Sequence, residues 1–522
     1  MRLVPVLTLP TCPLHSVEAT RAIEKQLITS ALDERWMLKA GEASARLARA
    51  IAPHAQNIVI ACGTGHNGGD GYAMAAALHQ ASLSYGANVQ VMQVGTSALP
   101  PLVQSMRARA LALGVREIRV WPEHVDLAVD AMLGIGAKHA PNPELTQVLL
   151  HFQSAPIVLS LDIPSGLHAD TGEWLVDEPQ MASPNPSQSR YTLSLLTVKT
   201  GLKTGDGRDW GGEVWWSDLG AEWTDAIDTR PSAVLNNQGP PDAHHPHRSH
   251  KGSFGDVIVL AGQAPSGGRA GMLGAGILAA RTAVHSGAGR VTWVPLVSSE
   301  ALPLLDWAQP DLMVRHLNQW RQESPNERQV WAVGCGGGDA VADIFPLALS
   351  HPGLVILDAD ALNHIAADSR WRESFAKRGQ QGRLQVYTPH PLEAGRLLGL
   401  TAAQVQRDRL GCAQQLADWL CGVVVLKGSG SVIAAPELRP LINASGNPRL
   451  ATGGSGDVLA GAIAGRLAAS LPSLLDAEKP AAWEACQSIV ATTVWEHGHI
   501  ADGWPAHQAL TSSRLAEAFC RG

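Results

Sequence analysis

The stretch "NIVIACGTGHNGGDGYAMAAAL", residues 57–78, decides the fold class of the first half of the chain. It begins with a short apolar run that is typical of a buried strand. Closely spaced glycines follow, and then an Ala-rich stretch with a helical pattern. Strand, glycine turn and helix in this order form the unit from which parallel sheets are built, so the stretch predicts an α/β fold.

The same pattern recurs on both sides of a polar stretch. In the first half it is found in "NVQVMQVG", "DLAVDAMLGIG" and "PIVLSLDIPSG", and "GEVWWSDLG" is a last strand. In the second half it is found in "GDVIVLAG", "GRVTWVP", "RQVWAVGCGGG", "GLVILDADALN", "LQVYTPHP" and "GVVVLKGSG". Since 522 residues exceed what one core usually serves, we expect two α/β domains, 1–222 and 250–522, joined by a linker at 223–249.

The linker contains "NNQGPPDAHHPHRSH", which is polar and rich in proline and histidine. Its four histidines are a possible metal site, and they are His244, His245, His247 and His250. No cysteine or acidic cluster accompanies them, and prolines interrupt the stretch. A solvated linker is therefore the favoured interpretation.

Composition is that of a soluble globular protein, with 45% hydrophobic and 17% charged residues. The net charge of -7 gives no reason to expect nucleic acid or an anionic membrane as a partner. The seven cysteines form no C-x-x-C pair, which fits free thiols in a reducing cytoplasm. We identify no apolar stretch of about 18 uncharged residues, so no membrane span is predicted. A symmetric homo-oligomer is the default expectation.

Polar residues follow the apolar runs of the first half. The five glycines between 63 and 71 would let backbone N–H groups approach an anion at a helix N-terminus, although a tight turn alone is the alternative. Asn67 and Asp70 favour a site. Asp130 and Ser165 end two further strands, and oxygens that converge in this way suit a hard cation.

The motifs "GHNGGDGYAMA", "VDAMLGIG" and "LDIPSGL" resemble the N-terminal YjeF domain, the NAD(P)H-hydrate epimerase, over about residues 15–220. The resemblance implies a Rossmann-like three-layer sandwich, a potassium ion held by Asn67, Asp130 and Ser165, and Asp162 as the acid/base. The residues that it implies for the hydrated nucleotide are His66, Asn67, Gly68, Gly69, Asp70, Gly134, Ile135, Gly136 and Asp162. Two departures are His66, where the family usually has Asn, and "RWMLKAG", which replaces Leu-Met-Glu-x-Ala-Gly.

A second glycine-rich stretch, "ATGGSGDVLAG" at 451–461, precedes an apolar helical pattern. Successive N–H groups of residues 452–456 can point at one spot, with the dipole of the following helix behind them. Asp457 could then take a proton from a substrate hydroxyl. The alternative is that Asp457 only caps the helix.

Other strand ends of the second half also carry polar groups. "LKGSGSV" presents Lys427 before a glycine turn, which suits a nucleotide phosphate. "YTPHPLEAG" places His390 and Glu393 at a spacing that serves either a surface pair or a site. Glu393 could hold a hydrated magnesium ion. "LDADALN" adds two more acids.

These motifs, in this order from 250 to about 470, resemble the C-terminal YjeF domain, the ADP-dependent NAD(P)H-hydrate dehydratase of the ribokinase-like superfamily. The resemblance implies that ADP phosphorylates the hydrate hydroxyl and that phosphate is then eliminated, leaving NAD(P)H, AMP and phosphate. The implied substrate contacts are Ala275, Gly336, His390 and Asp457. The implied adenine-nucleotide contacts are Lys427, Gly428, Ser429, Gly430, Ser431 and Gly456. "VGCGGGDA" departs from Gly-Pro-Gly-Leu-Gly, and Leu392 stands where Gly is usual.

Three hypotheses follow, and we rank them in this order. The first is a bifunctional repair enzyme acting on the hydrates NADHX and NADPHX, with K⁺, Mg²⁺ and the co-substrate ADP. The second is a vitamin-type small-molecule kinase with a non-catalytic nucleotide-binding N-terminal domain. The third is a nucleotide-binding sensor without turnover. A fold alone cannot separate them, because α/β folds host many chemistries.

Overall fold

The computed structural model describes residues 1–27, 34–82, 86–223, 230–241, 247–265, 270–297 and 306–519. The chain divides into two compact units, Met1–Leu235 and Asn236–Gly522. The boundary falls within the linker predicted at 223–249, where residues 233–236 form a strand. His244 and His245 lie outside the described residues. His250 accepts a hydrogen bond from Gly252 N at the start of a short 3-10 helix.

Unit 1 is built on a mainly parallel sheet. The strands of this unit are β1 (Val4–Pro5), β2 (Thr11–His15), β3 (Asn57–Cys62), β4 (Asn88–Gln93), β5 (Arg116–Ile118), β6 (Leu127–Ala131), β7 (Ile157–Leu161), β8 (Ser189–Leu195), β9 (Val198–Lys199) and β10 (Glu213–Ser217), with β11 (Ala233–Asn236) at the boundary. All of them except β2, β9 and β11 belong to the main sheet. The sheet order is β1-β10-β8-β7-β6-β3-β4-β5. Neighbours are parallel except β1 and β10. β2 pairs in parallel with β9.

The helices of unit 1 cover both faces of this sheet. They are α1 (Val17–Leu27), α2 (Glu34–Ile51), α3 (His66–Ser82), α4 (Pro101–Ala112), α5 (Pro143–Phe152) and α6 (Gly207–Trp210). Alternate residues of β3 face opposite cores, with Ile60 on the side of α2–α4 and Ala61 on the side of α5. Fully buried strands of this kind read as continuous apolar runs. The predicted three layers are confirmed.

Unit 2 repeats the plan with a second sheet. Its strands are β12 (Asp256–Leu260), β13 (Arg290–Val294), β14 (Met313–Val314), β15 (Gln329–Val333), β16 (Leu354–Leu357), β17 (Gln385–Tyr387), β18 (Val423–Leu426), β19 (Val432–Ala434) and β20 (Leu441–Asn443). Within unit 2 the order is β14-β13-β12-β15-β16-β17-β18-β19-β20. Strands from β14 to β18 are parallel, and β19 and β20 continue antiparallel. The predicted α/β class is therefore confirmed for both halves.

Helices again cover both faces of the sheet. They are α7 (Leu273–His285), α8 (Leu317–Trp320), α9 (Phe345–Ser350), α10 (Asp360–Ala367), α11 (Ser369–Gln380), α12 (Pro391–Leu398), α13 (Ala402–Arg407), α14 (Arg409–Leu420), α15 (Ser455–Asp476), α16 (Lys479–Asp502) and α17 (Ser512–Ala518). One core joins the sheet to α7, α15 and α16, and the other joins it to α9–α12 and α14.

Helices α7 and α15 pack at backbone contact. A Cβ atom added at Gly461 of α15 would lie 2.1 Å from the carbonyl oxygen of Ala279 in α7. Real Cβ atoms do not approach an oxygen so closely, and the neighbour is backbone that cannot turn aside. Glycine is therefore required where the two helices touch.

Helix α15 is long and apolar enough, by length and composition, to cross a membrane, and 67% of its apolar window is buried inside the protein. Arg466 interrupts the apolar sequence of this helix, which is why no uncharged stretch of about 18 residues was predicted here. Burial on this scale is typical of a core helix, and α15 packs against α7 and the sheet.

Candidate active sites of the two units

Each unit carries a cavity at the carboxyl ends of its parallel strands. In unit 1 the cavity measures about 930 Å³ and is lined by segments that follow β3, β4, β6 and β7. β3 lies between β4 and β6, so the order of the strands reverses there. Ligands of open α/β sheets bind at such a reversal.

Asn67, in the first turn of α3, is held by two backbone carbonyls. Its Nδ2 donates to Leu133 O at 2.8 Å and to Leu161 O at 3.1 Å. Its Oδ1 is buried and has no hydrogen-bond partner among the described residues. A buried amide oxygen without a donor is costly unless a cation or another ligand approaches it.

Asp130 and Ser165 form one hydrogen-bonded unit beside Asn67. Ser165 Oγ donates to Asp130 Oδ1 at 2.6 Å, and Ser165 N donates to Asp130 Oδ2 at 2.7 Å. Ser165 Oγ accepts from Leu133 N, whose residue also binds Asn67. Burial raises the pKa of Asp130, and the hydrogen bonds from Ser165 oppose that rise. Asp130 and Ser165 are thus bonded directly to each other, and Asn67 is linked to them through the backbone of Leu133.

Asp162 follows β7 with a left-handed backbone conformation, φ +66°. Its carboxylate pairs with Lys199 at the end of β9, and it accepts from Leu195 N at 3.2 Å. Lys199 is almost fully buried, and its Nζ also donates to Leu195 O and Thr197 O. The φ value of Asp162 is uncommon for a residue other than glycine, and such strain concentrates at functional sites.

Two more acids, Asp70 and Glu24, line the same cavity. Burial raises the pKa of Asp70 well above its usual value, and the carboxylates of Asp162 and Glu24 raise it further. Burial also raises the pKa of Glu24, which Lys199 opposes. Both shifts favour the protonated form, which can donate a hydrogen bond. Lys199 and Glu24 were not identified from the sequence.

Most of the residues predicted for the unit 1 substrate lie at this cavity. Those that line it are His66, Asn67, Asp70, Gly134, Ile135, Gly136 and Asp162. Gly68 and Gly69 stand behind them in α3. A Cβ atom at Gly68 would lie 1.9 Å from Gly63 O, and one at Gly69 would lie 2.5 Å from Met37 Sδ. Packing beneath the cavity therefore requires glycine at position 68, where the neighbour is backbone, whereas the neighbour of Gly69 is the flexible end of a methionine side chain.

The cavity of unit 2 measures about 740 Å³ and lies at the ends of β12, β15, β16, β17 and β18. Among the predicted residues, it is lined by Gly336, His390, Glu393, Lys427, Gly456 and Asp457. The first turn of α15 faces it, so the positive end of a 22-residue helix is directed at the cavity.

Asp457 lies in that first turn but does not cap the helix. The N-cap is Gly454, with φ +91°, and no side chain in the described part of the chain makes a capping hydrogen bond there. Burial raises the pKa of Asp457 to about 6; the neighbouring Asp358 raises it too, while the Cys335 thiol and Lys427 lower it. Asp457 is thus a more basic carboxylate than usual, and it remains ionised at neutral pH.

Asp358, after β16, joins several of these groups. It accepts from Lys427 Nζ at 2.9 Å and from Thr388 Oγ1 at 2.5 Å, and its Oδ2 lies 3.5 Å from Cys335 Sγ. Ligand atoms of Cys335, Asp358 and Asp457 lie within 4.8 Å of one another. Burial alone would lower the pKa of Lys427, but Asp358 and Glu393 outweigh it and the pKa is raised. The lysine therefore stays charged.

His390 and Glu393 form a capping box at the start of α12. His390 Nδ1 accepts from Glu393 N at 3.2 Å, and His390 N donates to Glu393 Oε2 at 2.8 Å. The side chain of Glu393 is only 5% exposed, which excludes the simple surface pair. Burial raises the pKa of Glu393 to about 7, and it lowers that of His390.

The remaining predicted residues lie outside the lining of this cavity. Ala275 is buried near the start of α7, and a Cβ atom at Gly336 would lie 2.9 Å from Ala275 Cβ. Residues 428–431 form a turn after Lys427. Cys335, which touches Asp358, was noted only as a departure from the family motif.

Comparison with known proteins assigns each unit. Residues 33–201 match the family model of the YjeF-related protein N-terminus. Residues 266–521 match the family model of NAD(P)H-hydrate dehydratase. The two matches have the order that the sequence motifs predicted.

Solved structures similar to this chain include an ADP/ATP-dependent NAD(P)H-hydrate dehydratase from Bacillus subtilis, co-crystallised with ATP/Mg²⁺. It is 29% identical, with 52% of this chain and 90% of that chain covered and a TM-score of 0.41. A ribokinase-like superfamily protein from Enterococcus faecalis is 24% identical, with 53% and 89% covered and a TM-score of 0.42.

Full-length relatives span both units. A protein of Escherichia coli (strain K12), the bifunctional NAD(P)H-hydrate repair enzyme Nnr, is 35% identical, with 89% of this chain and 84% of that protein covered. A bifunctional NAD(P)H-hydrate repair enzyme of Leishmania major is 32% identical, with 89% and 85% covered. Because identity at this level extends over most of both chains, the chain belongs to the family of bifunctional NAD(P)H-hydrate repair enzymes, with an N-terminal epimerase domain and a C-terminal dehydratase domain.

Proposed function

We propose that unit 2 uses ADP to phosphorylate the hydroxyl of (S)-NAD(P)HX, with Asp457 as the general base, and that unit 1 supplies the S form by epimerisation at Asp162. The observation that carries the proposal is the arrangement of Asp457, Lys427 and the N-terminus of α15 around one cavity. A base, a cation and a helix dipole are what phosphoryl transfer to a hydroxyl requires.

In unit 2 the substrate hydroxyl attacks the β-phosphorus of ADP. The new O–P bond forms as the bond to AMP breaks, and Asp457 takes the hydroxyl proton. Phosphate then leaves with its bonding pair, and loss of a proton from the neighbouring carbon restores the double bond of NAD(P)H. Asp457 suits the first step because its raised pKa, about 6, makes it a better base while it stays ionised at neutral pH.

The nucleotide is proposed to bind at Lys427 and at the turn that follows it, through Ser431, with Gly456 at the helix end. Lys427 stays charged beside Asp358 and can approach the phosphates. Glu393 fits a water-mediated magnesium site because its buried carboxylate lines the cavity with a pKa of about 7, so a nearby cation would favour its ionised form. When bound, Mg²⁺ would offset charge on the transferring phosphate.

In unit 1, Asp162 is proposed to move the proton that accompanies inversion of the hydroxyl-bearing carbon. Lys199 holds the carboxylate of Asp162 in place through their ion pair. Potassium fits beside Asn67, because Oδ1 of that residue is buried without a donor and the carboxylate of Asp130 and the hydroxyl of Ser165 supply further oxygens. The ion would stabilise the loops that hold the hydrate.

The test is recovery of NADH absorbance from a mixture of R and S NADH hydrates with ADP, magnesium and potassium, compared with a blank without enzyme. Fast recovery of the whole mixture is expected. Fast recovery of the S fraction alone would contradict the role of unit 1. Replacing K⁺ by Na⁺ or Li⁺ should slow conversion of the R fraction, and an unchanged rate would remove potassium from the proposal.

A further inference from the structure

A buried arginine lies beneath the turn proposed to bind the nucleotide. We define Lys427–Ser431 as the nucleotide loop. Arg409, the first residue of α14, is 1% exposed and lies against this loop. Burial lowers the pKa of Arg409 to about 10, so its guanidinium is still a cation at neutral pH.

The guanidinium of Arg409 binds three carbonyls at the base of the loop. Nη2 lies 3.1 Å from Leu426 O, 3.3 Å from Lys427 O and 3.4 Å from Gly430 O. Nη1 donates to Gln406 Oε1 at 2.6 Å. One rigid, planar group thus bonds to Gln406 through Nη1 and to carbonyls on both sides of the turn through Nη2, and the single nitrogen of a lysine cannot occupy both positions.

The backbone conformation of the nucleotide loop leaves room for the guanidinium of Arg409. Gly428 has φ +136°, and a Cβ atom there would lie 2.9 Å from Arg409 Nη1. Ser431 Oγ accepts from Gly428 N and donates to Gly428 O, which closes the turn. Since the peptide unit is planar and trans, a carbonyl directed at Arg409 turns the N–H of the same unit away from it. The N–H groups of Gly428 and Ser431 therefore face away from the guanidinium.

We infer that Arg409 is a positioning residue for the adenine nucleotide: it orients the nucleotide loop so that the N–H of Ser431 and the ammonium group of Lys427 face the ligand. The inference rests on the proposed binding of ADP at this loop. Arg409 does not touch reacting atoms, and its effect is on the affinity for ADP.

A second buried arginine of unit 2 provides a matched control. Arg378, in α11, is 2% exposed, and burial lowers its pKa to about 10 as well. It also donates to three carbonyls, those of Leu384, His351 and Gly353, at 2.5 to 3.1 Å. Two of these carbonyls precede β16 and β17, at the sheet edge opposite the cavity. The two arginines thus share burial and bonding but not location.

The experiment compares Arg409→Lys with Arg378→Lys in the full chain. Both should lower the unfolding temperature. Arg409→Lys should raise the KM for ADP roughly tenfold or more, with a smaller change in kcat, because misplacing a binding loop by a fraction of an ångström weakens contacts. Arg378→Lys should leave the KM for ADP unchanged. A purely structural role would reduce the active fraction, and hence the maximal rate, equally in both.

Two further measurements keep the outcome decisive. Gln406→Ala removes the Nη1 partner from an exposed position, and a smaller rise in KM is expected. Calorimetric titration with ADP reports binding even if the chain does not dehydrate the hydrate. Weaker ADP binding in Arg409→Lys would then support the inference although the proposed function fails. Wild-type ADP affinity in Arg409→Lys, equal losses in both arginine variants, or no ADP binding by the native chain would overturn it.

Discussion

Each unit places an acid at the cavity beside the carboxyl ends of its parallel strands, but the charges around the two acids differ. In unit 1, Asp162 pairs with the buried cation of Lys199. In unit 2, Asp457 lies close to a second carboxylate, Asp358, which helps to raise its pKa to about 6. One acid pairs with a group of opposite charge, while burial, helped by a like charge, makes the other more basic. An acid at such a cavity therefore does not by itself define a role, because its burial and its neighbouring charges set its chemistry.

The largest expected effect is loss of dehydration in Asp457→Asn. Removing a general base should lower the dehydration rate by about 10²- to 10⁴-fold, while epimerisation continues. The two activities can be followed separately, by NADH absorbance and by chromatography of the two epimers. Near-normal dehydration would remove Asp457 from its role.

The second prediction concerns Asp162→Asn, which should stop epimerisation and also weaken unit 1. Breaking a buried ion pair leaves Lys199 without its carboxylate and costs about 3 kcal/mol of unfolding free energy. Denaturant unfolding of this variant should therefore begin earlier than that of Asp457→Asn, which removes a repulsion instead.

A double variant shows whether the stability lost in Asp162→Asn comes from the unpaired charge of Lys199. Asp162→Asn with Lys199→Met removes both charges, and much of the lost stability should return without epimerase activity. If Asp162→Asn and Asp457→Asn unfold at the same denaturant concentration, the contrast between the two acids is wrong.

The third prediction concerns the pH dependence of dehydration by unit 2, whose rate should fall at acid pH. Asp457 must be deprotonated to act, so kcat/KM for dehydration should fall about tenfold per pH unit below its pKa of about 6. Glu393, with a pKa of about 7, also lines the cavity, and the Glu393→Gln variant separates its contribution. A flat profile from pH 5 to 8 in that variant would contradict the assignment.

The smallest expected effect belongs to Cys335→Ala. The thiol contacts Asp358 at 3.5 Å and lowers the pKa of Asp457. Its loss should move the acid limb of dehydration upward by about half a pH unit or less, because a thiol is a weak donor. Epimerisation serves as the internal control. A downward shift would show that the thiol acts on Asp457 in the opposite sense.

Much of this arrangement was predictable from the sequence, since buried parallel strands are continuous apolar runs and their polar ends are visible. Asp130, Ser165 and Lys427 were located in this way, whereas Asp457 was located by the glycine-rich stretch before its helix and the role of Asp162 by the family resemblance. Lys199 was missed because lysines are usually exposed, and nothing in "LLTVKTG" indicates a buried one. Arg409 was missed because nothing local marks a guanidinium that binds carbonyls more than 15 residues away.

The pairing of Asp358 with Lys427 joins residues 69 positions apart, and no local pattern specifies it. The same holds for the contact between Cys335 and Asp358. The order of the strands within the sheet decides which strand ends become neighbours. That order was not predicted from the sequence, so the partners could not be predicted either. Individual site residues are thus easier to find than their partners.

The contact of Gly461 with the backbone of α7 has a consequence for reading mutational data. In a saturation-mutagenesis map scored by NADH recovery, nearly every substitution at Gly461 should score as a loss, as at Asp457. Gly461 faces Ala279 and lines no described cavity. A map read without the structure would assign a catalytic function to a position that only allows two helices to meet, and a parallel screen for protein abundance would separate the two.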